Sequence, residues 1–230
     1  MSSKFTFNDH SNLRGKHALF APSQSAWLRY DEDKIAEKVL NQYRTTLGTE
    51  IHDFAASQIE LKHKYTSLRE LTRAIESYMY CKYMYLSEDL VVGDYAKKLM
   101  SHLDNIPKDV FEAVRYYIND GVGFRMNTEQ ALVYSEHIFG HADTICFRNN
   151  FLRIHDLKTG ANPAHMEQLE VYAALFCLEY KLKPSDINIE LRLYQWDGQV
   201  VENPDPEYLM TVIEKIIASE KIASEVEKEI

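Results

Sequence analysis

The sequence predicts an α/β fold in which a small mixed β-sheet is flanked by helices and preceded by a helical N-terminal region. Three observations predict it. Between about residues 31 and 119 apolar positions recur at helical spacing, with turn signals between the segments. From residue 131 to 158 the texture changes to three short runs rich in β-branched and aromatic residues, "ALVYSEHIF", "HADTICF" and "FLRIHDLK". Beyond them a helical pattern, one further strand and a last helix follow in turn. With 45% hydrophobic residues and only 8 Gly and 6 Pro, the 230-residue chain is long enough for one large domain over 1–230. Within it, about 66–120 reads as a helical insertion before the strands.

Each element has a local reason. Residues 1–30 mix aromatics, polar residues and Pro22 without a clean period and read as irregular. From Asp31 to Lys62, Ile35, Val39, Leu40 and Tyr43, then Ile51, Phe54, Ala55 and Ile59, predict two helices separated near Thr46–Gly48, the second capped by Thr49. Ser67 followed by Glu70 is a capping box, and Leu71, Ile75 and Tyr78 continue its helix. A helix over Asp89–Leu103 comes next, and then one with Pro107 in its first turn that ends near Asn119 at "NDGVG". The three strand runs, punctuated by Gly140 and by Arg148–Asn150, predict an antiparallel meander. A helix over Pro163–Tyr180, a strand over Ile187–Trp196 and a C-terminal helix from Pro206 complete the chain, the last ending in the charged "SEVEKEI".

Composition excludes several classes. There is no long apolar run, and the N-terminal "MSSKFTFNDH" lacks a basic start followed by an apolar core, so no membrane span or signal peptide is expected and a cytoplasmic location is. Cys81, Cys146 and Cys177 are odd in number and far apart, which argues against a disulfide framework or a thiolate metal cluster and for buried free thiols. A net charge of −9 argues against nonspecific phosphate binding by Lys and Arg. It does not exclude a nucleic acid, because bound divalent cations carry part of that attraction.

The chemistry is concentrated in "HDLKTG". Side chains of a strand alternate, so Asp156 and Lys158 share one face while Leu157 points into a core on the other. A hairpin turn at Arg148–Asn150 brings Asp143 beside Asp156. Two aspartates across a sheet repel each other, and the pair makes most sense around a cation. Oxygen ligands favour Mg²⁺ or Mn²⁺, which lower the pKa of bound water and neutralise charge on a phosphate.

With "GHAD" at 140–143, "HDLKTG" at 155–160, "QLEVY" at 168–172 and "GTEIHDFA" at 48–55, the chain resembles the PD-(D/E)XK nuclease superfamily in its RecB-like, phage-exonuclease branch. "HALFAPSQSAWLRY" resembles the start of phage-encoded members more loosely. The blocks lie in family order over about residues 48–172. The resemblance implies a restriction-endonuclease-like core and a metal site of His52, Asp143, Asp156 and the backbone carbonyl of Leu157. It makes Lys158 the catalytic lysine, and Gln168 and Tyr172, four apart on one helical face, substrate-contacting or lysine-orienting residues. Thr159 and Gly160 would bring backbone amides near a phosphate. It implies a Mg²⁺- or Mn²⁺-dependent deoxyribonuclease of phage or bacterial recombination, repair or DNA degradation, with no iron–sulfur cluster. DNA is the substrate, a single-strand-annealing recombination protein a candidate partner, and the cytosol of a bacterium or phage-infected host the location. An exonuclease is the expected form; an endonuclease and a catalytically impaired nucleic-acid-binding accessory protein are the alternatives.

Two positions depart from the family pattern. Ala56 stands where RecB-like proteins often carry a glutamate one turn after the histidine. Glu60, two turns on and rotated by roughly 80° from His52, and Glu136, on the strand before GHAD, are the candidates to replace it. The tyrosines at 78, 80, 83 and 85 fit base stacking, but a tyrosine-rich helix is more often packing.

Overall fold

Asn149 and Asn150 both take left-handed φ values, 53° and 57°, and close a two-residue hairpin of the primed type that matches strand twist. That hairpin joins β2 (Phe139–Arg148) to β3 (Phe151–Leu157), with Arg148 opposite Phe151. The computed structural model describes residues 18–85, 90–160 and 165–229, with only the backbone of 84, 85 and 90–93. Expected helix starts at Asp89 and Pro163 lie outside the described residues.

The sheet is five-stranded and mixed, in the order β1-β2-β3-β4-β5. β1 (Asn127–Val133), β2 and β3 form the expected antiparallel meander; β4 (Asn188–Gln195) runs parallel to β3, and β5 (Gly198–Glu202) closes the edge antiparallel to β4. The β3-to-β4 crossover is α5 (Glu167–Tyr180), as a parallel connection requires. β5 was not expected from the sequence. Within "ALVYSEHIF" only Ala131–Val133 and the final Phe139 are strand, since Tyr134 to Ile138 form the β1–β2 turn.

Helices cover both faces of the sheet. On one, α5 packs over β1 to β4, and α6 (Pro206–Lys228) packs on α5; Leu152, Ile154, Ile189, Leu191, Leu193, Leu169, Ala173 and Ile213 form that core. On the other, α4 (Lys108–Phe124) meets β3 and β4. α4 runs through "NDGVG" instead of stopping at Asn119. A Cβ at Gly121 would lie 2.6 Å from Ile59 Cδ1, so the glycine is a contact point between helices, and the helix ends at Arg125 in the left-handed conformation.

α1 is one helix, Glu32–Glu60, and not the two expected. Gly48 does not break it, and the Thr49 hydroxyl donates to the Thr45 carbonyl instead of capping a new start. The chain separates into two compact units, Met1–Tyr43 and Arg44–Ile230. In the first, Pro22–Arg29 form a short 3₁₀ segment, and Trp27 meets the Phe20 ring edge-on at 5.7 Å. In the second, α2 (Leu68–Tyr80) is capped as expected: the Glu70 amide donates to the Ser67 hydroxyl at 3.3 Å, while the Glu70 carboxylate accepts from Thr66. A π-helical stretch, Cys81–Tyr85, follows, and α3 (Leu90–Leu103) comes next. Cys146 and Cys177 are buried free thiols, but Cys81 is exposed. Among the described residues, no helix is long and apolar enough to cross a membrane.

Candidate metal centre

The β2–β3 register sets the site. Thr144 pairs with His155, which carries the next position, Asp143, to Asp156. The backbone amide of Leu157 donates to Asp143 Oδ2 at 3.2 Å, tying that carboxylate to the end of β3. Leu157 itself is fully buried, as the alternation predicts.

The pleat slips sides at this point. Gly140 faces α5, because a Cβ there would lie 2.8 Å from Tyr172 Cε1. Thr144, four residues on and of the same parity, turns to the α4 side with its cross-strand partner His155, whose ring meets Phe124 of α4 edge-on at 5.7 Å. The reversal between them falls at Asp143 and at the residue across from it on β1. Thr128 pairs with Thr144 and Gln130 with Ala142, so Glu129 lies opposite Asp143; the ladder omits that pair, and Glu129 has φ +48°. Inside a strand this is a strained conformation for a residue with a side chain.

Helix α1 presents His52. Glu50, two residues or about 200° away on the helix, is buried toward α2 and the π-helical stretch. It accepts from Lys82 Nζ, the Tyr83 hydroxyl and the Tyr78 hydroxyl. That anchor fixes the rotation of α1 and turns the His52 ring to Asp143, with Nδ1 3.3 Å from Oδ2. Burial alone would lower the His52 pKa, but the hydrogen bond and charge of Asp143, with the charge of Asp156, outweigh it and raise the value. Tyr78 packs on Phe54 at 5.5 Å, so Tyr78 and Tyr83 serve packing and the Glu50 anchor.

Asp156 is 2% exposed. Burial first, and the Asp143 charge second, push its pKa up to about 6 against the opposing pull of Lys158 and His52. Lys158 Nζ lies 3.0 Å from each Asp156 oxygen, but hydrogen-bond geometry is met only at Oδ1, and Oδ2 is left with no hydrogen-bond partner. The same ammonium donates to Gln168 Oε1 at 3.0 Å, and the Gln168 amide donates to the Tyr172 hydroxyl at 3.3 Å. The α5 pair therefore orients the lysine. Thr159 is held beside α1, since a Cβ at Gly48 would lie 3.0 Å from its Oγ1.

His52, Asp143, Asp156, Lys158, Gln168 and Tyr172 thus form one continuous set. Glu60 does not join it: its carboxylate accepts from the Thr128 hydroxyl at 2.6 Å. Nor does Glu136, which sits in the β1–β2 turn and not on a strand, seven residues before Asp143 and beyond the start of β2 at Phe139, itself roughly 13 Å from Asp143 along the strand. Glu136, His137 and Glu227 are the only described residues to place three ligating atoms within 4.8 Å of one another, and all are exposed. His137 there bridges Glu220 and Glu227 at 3.2 and 3.0 Å and clamps α6 to the turn; Glu227 and Glu220 raise its pKa to about 9. The His52 set is more open than that trio because the imidazole takes one aspartate and the ammonium the other.

Glu129 is the residue that sequence reasoning missed. Burial, then the Asp143 charge, raise its pKa, while His52 and His141 act in the other direction, so its carboxylate lies in the field of this set. Finding it from sequence required knowing where the β1–β2 turn begins, and "ALVYSEHIF" hides that turn inside an apparent strand.

The family described as "Protein of unknown function (DUF2800)" matches residues 17–196. No curated protein and no solved structure matches the chain.

Proposed function

The chain belongs to the DUF2800 family, and from the arrangement of its own side chains we propose that it is a metal-dependent deoxyribonuclease built on a restriction-endonuclease-like core. One observation carries the reading: Asp156 is buried across from Asp143, with one carboxylate oxygen free of hydrogen bonds and a lysine two residues on. A buried carboxylate beside another is costly unless a cation compensates it. The aspartate oxygens suit Mg²⁺ or Mn²⁺, and the imidazole beside them favours the softer Mn²⁺ of the two. His52, Asp143 and Asp156 would hold the ion, together with the Leu157 carbonyl. To hold an ion, His52 would exchange its contact with Asp143 for the metal.

The ion, when bound, supplies water activation and charge neutralisation at a phosphate. The remaining work falls to the protein. Lys158, held by Gln168 and through it by Tyr172, presents its ammonium where negative charge develops on the phosphoryl oxygens as water attacks phosphorus and the ester P–O bond breaks. Asp156 keeps that ammonium at the mouth of the site. Cations also offset part of the net charge of −9 that opposes DNA binding.

The test is degradation of end-labelled DNA, linear and circular, single- and double-stranded, with Mg²⁺, Mn²⁺ or EDTA, beside Asp156→Ala. Loss of linear DNA alone gives an exonuclease, and cutting of circles an endonuclease. No activity above that of Asp156→Ala on any substrate overturns the reading and leaves a DNA-binding role to be measured.

A further inference from the structure

We infer that Glu129 supplies a third carboxylate to the divalent-cation site, in the place that Ala56 leaves without an acid. The inference rests on the metal-dependent reading of His52, Asp143 and Asp156. Glu129 stands across β1–β2 from Asp143, between the paired positions Thr128–Thr144 and Gln130–Ala142. It points to the same side as Asp143 because both strands reverse their pleat together there.

Its backbone makes that reversal at a cost. A left-handed φ is readily adopted by Gly or Asn, and costs a glutamate more. Either residue at 129 would lower the strain in β1 at little loss of packing, since the Glu129 side chain is exposed. No described residue donates a hydrogen bond to the Glu129 carboxylate, in contrast to Glu60, which Thr128 holds, and Glu50, which Lys82 holds. A strained, exposed, unbonded glutamate facing an aspartate gains nothing for the fold. It gains a partner if a cation lies among Asp143, Asp156 and itself, toward which the buried Oδ2 of Asp156, paired with the Lys158 ammonium at 3.0 Å but without a hydrogen bond, is also available.

The set then has three carboxylates, the Leu157 carbonyl and one imidazole from four elements: β1, β2, β3 and α1.

The experiment is Mn²⁺ titration by calorimetry on the full chain and on Glu129→Gln, Glu129→Gly and Asp156→Asn, with unfolding midpoints measured in EDTA. The expected result is at least about a tenfold weaker Mn²⁺ Kd for Glu129→Gln and Glu129→Gly, equivalent to about 1.4 kcal/mol. Glu129→Gly also raises the metal-free midpoint by a few degrees, since glycine accepts the left-handed φ; a purely structural role predicts no change in Mn²⁺ affinity. Wild-type affinity in both Glu129 variants, with binding lost in Asp156→Asn, overturns this inference and leaves the metal-dependent reading standing. Wild-type affinity in Asp156→Asn overturns both.

Discussion

His155 and Asp156 are neighbours on β3, both buried, and they open onto two polar networks of opposite character. Behind His155, on the α4 side, every charge has a counterpart. Asp120 accepts from Arg192 at 3.2 Å, from the Tyr194 hydroxyl at 2.7 Å and from Gln199 at 3.5 Å. Glu190 accepts from Arg153 at 3.1 Å and from Arg192 at 2.7 Å, and both guanidiniums stack on Phe124. His155 itself is neutral: burial first, then Arg192 and Arg153, lower its pKa to about 3, and its Nδ1 meets the Tyr194 hydroxyl at 3.3 Å. Its Nε2 has no hydrogen-bond partner, a smaller penalty for a neutral ring than for an ion.

Asp156 opens onto the other kind. Glu129, Asp143 and Asp156 set three carboxylates against one ammonium and one imidazole, and an oxygen of the most deeply buried acid has no hydrogen bond. Two guanidiniums against two carboxylates make a structural network; three carboxylates against one lysine and one histidine make a site short of positive charge. The imbalance, more than the number of charges, separates a group that holds the fold from one that waits for a ligand.

The largest expected effect breaks the unbalanced side alone. Lys158→Ala should lower DNA cleavage by about 10²–10³-fold, as loss of one preorganised donor does, while Mn²⁺ affinity stays the same or tightens. A cleavage assay beside a Mn²⁺ titration checks both halves. Next, Arg192→Met removes the balanced side's shared cation and leaves Asp120 and Glu190 with fewer donors. It should cost about 2–3 kcal/mol of stability by urea denaturation, with Mn²⁺ affinity unchanged.

A smaller effect is the pH dependence of the metal-free protein. Because the folded state raises the Asp156 pKa from its ordinary 3.8 to about 6, it binds that proton more tightly than the unfolded chain. Stability is therefore fullest below about pH 4 and falls as pH rises through about 6, by roughly 3 kcal/mol from this group. The raised pKa of His52 adds loss in the same direction as pH passes upward through its own titration. Urea midpoints in EDTA across that range should slope down for the wild type and flatten in Asp156→Asn.

Much of this was legible in the sequence because it depended on short-range geometry. Strand alternation placed Asp156 and Lys158 together and sent Leu157 inward, the asparagine turn fixed the register that brings Asp143 to Asp156, and four-residue spacing put Gln168 and Tyr172 on one face of α5. His52 came from the family resemblance, since a lone helical histidine carries no such signal. What was hidden depended on tertiary contacts. Gly48 reads as a break, but α1 passes through it beside Thr159; Gly121 reads as a stop, but α4 needs it against Ile59. Glu129 was invisible because a left-handed glutamate in a strand has no local signature, and Glu136 was misplaced because a turn resembled a strand.

The central claim is that the Asp143–Asp156 side of β3 takes up a divalent cation, and the most direct measurement is the thermal midpoint with and without Mn²⁺ at pH 7.5. At an ion concentration about 100 times Kd the wild type should gain about 2.7 kcal/mol, or roughly 5–10 °C. Arg192→Met should gain the same from its lower starting point, and Asp156→Asn should gain nothing. An unmoved wild-type midpoint, or an equal rise in Asp156→Asn, would contradict the account.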